Sequence, residues 1–300
     1  LYPMNALVND QLARIRRLFG DERVARLLMS GRNRPVRFGS YTSRTPYPGK
    51  REAAKDARYI APLFEDFYLK YIDDERTVRQ LKEKGRWPSK DLVGFYGADK
   101  VEKTTVRSGK NKGKDRRQHH WNERLKTQEF DRELLTRHEM QAACPDILIT
   151  NYSMLEYMLM RPIERDIFER TKEWLESDPD NQIILVLDEA HMYRGATGAE
   201  VALLIRRFQA RLGIPRERMR CILTSASLGN DEEAQRAILK FARDLTGLPE
   251  SSPRRFCLIQ GEREHRKGAR KGTGAEASIL AKFDLDSFNK VSVDGQRAVM

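Results

Sequence analysis

The apolar positions change period along the chain. Ile183–Leu187 is an unbroken apolar run, the pattern of a strand buried on both faces. Residues 146–149 and 221–223 repeat it in shorter form, and residues 36–41 also read as a strand. Helical periods lie between these runs. Leu7, Leu12, Ile15, Leu18 and Phe19 recur at helical spacing, and a second helix runs from a cap at Asp21 to about Met29, where Ser30-Gly31 ends it. Ala53, Ala57, Ile60, Leu63, Phe64, Phe67 and Tyr71 form one helical face within residues 51–84, broken by Gly85-Arg86-Trp87-Pro88. Further helices are predicted around Met154, Leu155, Met158 and Leu159, over residues 163–175 and 199–212, and over 231–245 behind a cap at Asn230 or Asp231. Residues 256–259 read as a last strand. Strands alternating with helices predict an α/β fold, a mainly parallel sheet flanked by helices.

Charge alters this picture in two places. Of the net +12, residues 100–117 carry +6 and residues 254–271 carry +5, so the rest of the chain is nearly neutral. Such clustering points to a polyanionic partner. The first window contains Ser108-Gly109-Lys110-Asn111-Lys112-Gly113-Lys114, which reads as a flexible low-complexity loop. Lys110, Lys112, Lys114, Arg116 and Arg117 are its candidate phosphate contacts. Residues beyond Gly261 are basic and Gly-rich and read as a linker or the start of another region. No apolar run approaches the ~20 residues of a membrane span, and no signal peptide is visible. Cys144, Cys221 and Cys257 are far apart and read as reduced residues of a cytoplasmic protein. His119-His120 has no Cys or acidic neighbours at zinc-ligand spacing, and His138-Glu139 lacks a histidine at position 142, so neither reads as a metal site.

Chemistry concentrates after the longest apolar run. Asp188 and Glu189 follow Leu187 directly, and ligands of open α/β sheets sit beyond the carboxyl ends of the strands. An Asp there suits a metal ion, and a neighbouring carboxylate suits a polarised water. The same pattern also fits a buried strand ending in an acidic turn. The full string Asp188-Glu189-Ala190-His191 resembles motif II of the DEAH-type superfamily 2 helicases. Thr224-Ser225-Ala226-Ser227, after residues 221–223, resembles their motif III, with Ser in place of the usual last Thr. Pro3, Leu7 and Gln11, with Asn5 among them, resemble motif Ia. Residues 145–151 resemble the segment that lays a Thr and a polar neighbour, here Thr150 and Asn151, against a nucleic-acid strand. A helix-capping role fits those two residues equally well. Thr42-Ser43-Arg44-Thr45 stands where relatives carry a Thr-Gly-Asp-Thr turn, with Ser43 and Arg44 replacing Gly and Asp. Tyr193-Arg194-Gly195, Gly198 and Val201-Ala202 resemble a run in large bacterial members, the insertion-containing group of DNA repair and antiphage defence systems.

The resemblance covers residues 1–11 and 145–248. It implies a partial P-loop NTPase (RecA-like) lobe, formed by residues 1–50 and 141–260. Residues 51–140 are expected to be an insertion, helical and then a basic flexible loop, with a linker or next region over 261–300. It implies an ATP-dependent helicase or translocase using ATP and Mg2+ on nucleic acid, with DNA expected. Glu189, Asp188 and His191 would be catalytic, with Asp188 toward Mg2+. Thr224, Ser225 and Ser227 would couple hydrolysis to movement, and Pro3, Asn5, Gln11, Thr42, Arg44, Thr150 and Asn151 would contact the nucleic acid. No Gly-x-x-x-x-Gly-Lys-Ser/Thr occurs, because the Gly-Lys pairs at Gly49, Gly109 and Gly113 lack that pattern. In the family that loop precedes motif Ia, and a second lobe follows, so the chain reads as a piece of a longer protein. The alternative is a binding lobe that grips nucleic acid or a partner and hydrolyses nothing.

Overall fold

The computed structural model describes residues 1–47, 49–97, 101–105, 107–110, 112–119, 125–226, 231–253, 255–261 and 272–282. Residues 1–257 form one compact unit and 258–300 another. In the first, α1 (Asn5–Phe19) and α2 (Glu22–Met29) precede β1 (Phe38–Tyr41). The Asp21 carboxylate accepts from the N–H groups of Arg23 and Val24 and so caps α2 as expected. α3 (Ala53–Tyr59), α4 (Ala61–Leu63), a π-helical turn at Phe64–Tyr68 and α5 (Leu69–Tyr71) follow. α6 (Glu75–Glu83) is separate, because Asp74 accepts from the Thr77 N–H and starts a new helix inside the stretch expected to be continuous. α7 (Leu92–Tyr96) then leads to the hairpin strands β2 (Val101–Thr105) and β3 (Asp115–His119) and to β4 (Glu133–Leu134).

The second half alternates regularly. α8 (Arg137–Ala143), β5 (Ile147–Thr150), α9 (Tyr152–Met160), α10 (Arg165–Ser177), β6 (Ile183–Leu187), α11 (Gly195–Leu212), β7 (Met219–Leu223) and α12 (Glu232–Thr246) follow in order. Asp231 is the residue that caps α12. In the second unit, α13 (Gly274–Leu280) starts at a Thr273–Glu276 capping box. No helix among the described residues is long and apolar enough to cross a membrane.

β4, β1 and β5 pair in parallel, and so do β6 and β7. Two residues join these pieces. The Tyr2 N–H donates to the Thr150 carbonyl at 3.0 Å, and the Asp188 N–H donates to the Leu1 carbonyl at 3.0 Å. The Leu1 nitrogen donates to the Val186 carbonyl at 2.5 Å. These bonds follow the slanted pattern of a parallel ladder, so the sheet runs β4, β1, β5, Leu1-Tyr2, β6, β7. This is the α/β architecture of a partial RecA-like lobe. One face packs Tyr41, Leu185, Leu187 and Met219 against Leu155, Phe168, Val201, Leu204 and Leu245 of the following helices. The opposite face is covered by α1 over β1 and β5, through Val8, Leu12, Phe38 and Ile149. Over β6 and β7 that face leaves Ile184 and Ile222 exposed.

Three sequence expectations change. Residues 100–117 contain paired strands, not a loop throughout: β2 and β3 are antiparallel, from Val101↔His119 to Thr105↔Asp115. The β-branched Val101, Thr104 and Thr105 favour extended backbone, a preference hidden by the charge around them. Residues 256–259 form no strand and Ile259 is 86 % exposed, because no neighbouring strand among the described residues offers a ladder. Within residues 51–140, Glu133–Leu134 belongs to the sheet.

Residues 47–97 nevertheless carry a core of their own, built on Phe64, Tyr68, Trp87, Phe95 and Tyr96, with Phe64 stacked on Tyr96 at 5.0 Å. Buried charge ties it to the sheet. Arg16 on α1 grips Glu133 of β4 in a bidentate pair, with Nη2 to Oε1 at 2.6 Å. The fully buried Lys90 ammonium lies 2.5 Å from Asp131 and 2.8 Å from Glu139, over the Phe95 ring. Asp131 also accepts from the Asp91 and Gln128 N–H groups, and Glu139 from Thr127, Leu135 and Thr136. Each charge is thus both paired and hydrogen-bonded, the condition under which buried ions are tolerated. Lys90→Ala strands two carboxylates and should cost about 3–5 kcal/mol in urea unfolding. Loss of the exposed Arg14–Asp10 pair should cost about 0–1 kcal/mol. Similar midpoints for the two variants would refute this ranking.

Candidate functional site

The carboxyl ends of β6 and β7 form one stitched edge. After Leu187 the backbone reverses at Glu189, which adopts left-handed φ 50° and ψ 45°. The reversal is fixed from β7: the Thr224 N–H donates to the Leu187 carbonyl at 3.0 Å, and the Ala190 N–H donates to the Thr224 carbonyl at 2.8 Å. Side chains repeat the link. The Thr224 hydroxyl donates to Asp188 Oδ1. His191 Nδ1 lies 3.1 Å from Ser225 Oγ and 3.3 Å from Glu189 Oε2. The two sequence motifs are therefore joined pairwise, Asp188 with Thr224 and His191 with Ser225. Ser227 lies outside the described residues.

Sequence reasoning gave no role to the tyrosines beside this edge. Tyr193 is buried and its hydroxyl has no hydrogen-bond partner among the described residues. Burial first, then the Asp188 charge, pushes its pKa well above the usual phenol value. Tyr2 is shifted the same way by the same two causes. The signal available was position: Tyr193 follows the acidic string by two residues, and Tyr2 belongs to the strand beside it. Gly198 has a packing reason. A Cβ there would meet the Tyr193 carbonyl at 2.5 Å, so only glycine lets the first turn of α11 close onto this turn.

The candidate nucleic-acid residues meet on the same carboxyl side of the sheet, beyond β1, β5 and Leu1-Tyr2. Asn151 caps α9 by accepting from the Met154 N–H at 2.7 Å, and its amide donates to Asn5 Oδ1 at 2.7 Å. Asn5 reaches on to Ser43 Oγ at 3.4 Å. Three separate segments are thus joined by one side-chain chain. Capping and contact are both open to Asn151, since the cap uses only its oxygen.

Thr42 and Thr150 are buried. The Thr150 hydroxyl donates to the Tyr41 carbonyl at 2.7 Å. The Thr42 hydroxyl accepts from the Arg44 N–H at 3.1 Å. Arg44 is exposed, Pro3 and Asn5 are half-buried, and Gln11 lies half-buried further along α1. Lys110, Lys112 and Lys114 are exposed on the hairpin tip, and Arg116 and Arg117 belong to β3. These five belong to another part of the chain, in the excursion between residues 97 and 125.

Residues 105–235 match the DEAD/DEAH box helicase family. That match takes in β4, β5, β6, β7 and the stitched acidic edge, so this part of the chain is similar to a DEAD/DEAH box helicase domain. It is 61% identical over 298 residues to the Druantia protein DruE of Escherichia coli (strain UMEA 4076-1), a match covering 99% of this chain. The chain spans 16% of that relative's length. No solved structure matches it.

The edge itself sets two stability expectations. A left-handed residue with a Cβ carries about 1–2 kcal/mol of strain. Glu189→Gly should therefore be more stable than Glu189→Ala by about 1 kcal/mol, part of the relief being offset by glycine's entropy. Equal or reversed urea midpoints would show that the turn is unstrained. Tyr193→Phe removes an unpartnered buried hydroxyl and should leave stability unchanged or raise it by up to about 1 kcal/mol. A clear loss in thermal unfolding would reveal a bonded hydroxyl instead.

Proposed function

We propose that this chain supplies half of the ATP site and part of the nucleic-acid track of an ATP-driven helicase or translocase. The observation that carries this is the pairing of Asp188 with Thr224 and His191 with Ser225, on the same side of the sheet as the Asn151–Asn5–Ser43 chain. The family normally works with ATP and Mg2+, and the residues fit that ion. Among the described residues no group of three or more His, Cys, Asp or Glu could cage a metal. Mg2+ is commonly held by one or two carboxylates together with phosphates and water, and a half-buried Asp188 steadied by one hydroxyl suits that arrangement. When bound, the ion would neutralise charge on the nucleotide phosphates. Glu189 then serves as the base that takes a proton from the attacking water, held in place by His191. His191 in turn reports to β7 through Ser225.

The nucleic acid runs along the edge formed by Pro3, Asn5, Arg44 and Asn151, where α1 and α9 begin. Helix starts present N–H groups and a positive dipole end to phosphate. Thr42 and Thr150 support that edge by holding the turns beneath it. An enzyme of this kind acts in the cytoplasm, where its nucleic-acid substrate is met.

Glu189→Gln keeps the shape and removes the base. In the full-length protein it should lower ATPase by roughly 10²–10⁴-fold. Unaltered ATPase would favour the lobe that binds and does not hydrolyse, or a base elsewhere. The 300-residue chain alone should show no turnover, since phosphoryl transfer depends on a complete set of positioned charges.

Ser225→Ala removes the neutral hydrogen bond to His191, worth about 0.5–1.5 kcal/mol. That is too little to unfold the lobe but enough to shift two lobe arrangements several-fold. The full-length variant should keep most ATPase and lose most strand separation, and Ser225→Ala with Ser227→Ala should do so more strongly. Equal loss of both activities would place these hydroxyls in the chemical step.

A further inference from the structure

We propose that the β2–β3 hairpin is an arm that enters the major groove of duplex DNA, so that the protein grips double-stranded DNA as well as the strand on its sheet edge. This rests on the nucleic-acid reading above but not on ATP hydrolysis. The excursion that carries the hairpin leaves and rejoins the aromatic core at one point. Gly97 ends α7 in a left-handed conformation, and Leu125, 2 % exposed, donates its N–H to the Phe95 carbonyl at 2.8 Å. From that base the antiparallel ladder runs for five residue pairs, a reach of roughly 16 Å at about 3.3 Å per residue.

The tip is a cationic surface with room around it. Arg107, Lys110, Lys112 and Lys114 are exposed, and residues 107–114 contain no acidic residue. Among the described residues none of these four has an acidic partner. Gly109 and Gly113 turn the chain at φ 85° and 87°, and a Cβ on either would meet nothing within 4 Å. The tip therefore offers its cations outward, whereas three arginines of α11 are held by neighbours: Arg207 by Glu156, Arg211 by Glu169 and Arg206 by the Asp244 carbonyl.

Dimensions choose the partner. A two-stranded ribbon fits the B-form major groove, roughly 12 Å wide and 8.5 Å deep, and the ladder is longer than the groove is deep. The A-form major groove of duplex RNA is deep and too narrow for such a ribbon. A single strand has no groove to hold two paired strands. With no side chain at Gly109 or Gly113, the tip can pass close to the groove walls while its lysines reach the phosphates on either side. Contacts of this kind position the protein without reading sequence.

The test is fluorescence anisotropy with the full-length protein, without nucleotide, on a DNA duplex, an RNA duplex of the same sequence and a DNA single strand, over a range of salt. The variant replaces Arg107, Lys110, Lys112 and Lys114 with Ser. Duplex DNA affinity should fall at least tenfold, and the log–log salt slope should flatten by about 3–4, close to 0.9 for each phosphate no longer neutralised. Binding of duplex RNA and of the single strand should change less than threefold. The three lysines changed to Arg should bind duplex DNA as the parent does, which separates loss of charge from damage to the hairpin. Unchanged duplex DNA binding would overturn the proposal, as would an equal loss on all three nucleic acids, which would mean a general polyanion patch. The measurement is made without nucleotide and the hydrolytic reading is tested by ATPase, so failure of that reading and failure of the arm are told apart.

Discussion

Three backbone hydrogen bonds hold the two functional edges in one frame. Leu1 bonds Val186 and Asp188, and Tyr2 bonds Thr150. Without them β4, β1 and β5 would be one sheet and β6 and β7 another, since no other strand among the described residues joins β5 to β6. The acidic turn would then be placed relative to Asn5, Ser43 and Asn151 by the shared helical core alone. Each bond contributes only about 0.5–1.5 kcal/mol net. Their value is geometric: a peptide paired on both sides cannot slide along one neighbour without breaking bonds to the other. The same two residues also bring Tyr2 beside Asp188 and lead into α1 next to Asn151.

What could be read from the sequence follows from range. Ile183–Leu187 announced its strand because an unbroken apolar run is recognised without its partner's identity, although only one of its faces is buried and Ile184 is exposed. Asp21 and Asp231 announced helix starts because a cap acts over three residues. His191 meets Ser225 because two neighbouring strand ends in a parallel sheet put their next residues side by side. Other features depend on residues far apart. Lys90 finds its carboxylates more than 40 positions away in the chain, and Arg16 finds Glu133 from the other end of the lobe. Nothing local marks those residues as buried, because they read as ordinary surface charges. The π-helical turn at Phe64–Tyr68 likewise packs on residues of another helix, with Phe64 tilted against Phe95 and stacked on Tyr96. Thr42 and Thr150 show the opposite limit: polar residues at strand ends look like contact residues, and here they bond the chain's own carbonyl and N–H groups.

Two groups of basic residues in this lobe contrast sharply. One is structural, with guanidinium groups bonded to carbonyls or carboxylates, as in Arg216 to the Thr246 carbonyl and Arg218 to the Asn181 carbonyl. A planar fork of donors suits that task better than an ammonium does. The other is rich in lysine and sits on the hairpin tip, where a compact hydrated charge on a flexible stem suits contacts with phosphates whose spacing varies. Net charge counts both populations alike. Distribution and residue type separate the charge that holds the fold from the charge offered to a partner.

Glu189 shows why the two edge motifs act as one unit. A left-handed glutamate carries about 1–2 kcal/mol of strain, which its own sequence neighbours do not remove. The Ala190 N–H bonds the Thr224 carbonyl, the Met192 N–H bonds the Glu189 carbonyl, and the Tyr193 N–H bonds the Ala190 carbonyl. At about 0.5–1.5 kcal/mol each, the three together outweigh the strain, and the first of them exists only while β7 is in register with β6. The reversal turns the Glu189 carboxylate toward His191, whose other contact is Ser225. A movement of β7 would therefore act on the Glu189 turn through the backbone and on its side chain through His191. The Glu189 turn and Ser225 are thus both tied to β7.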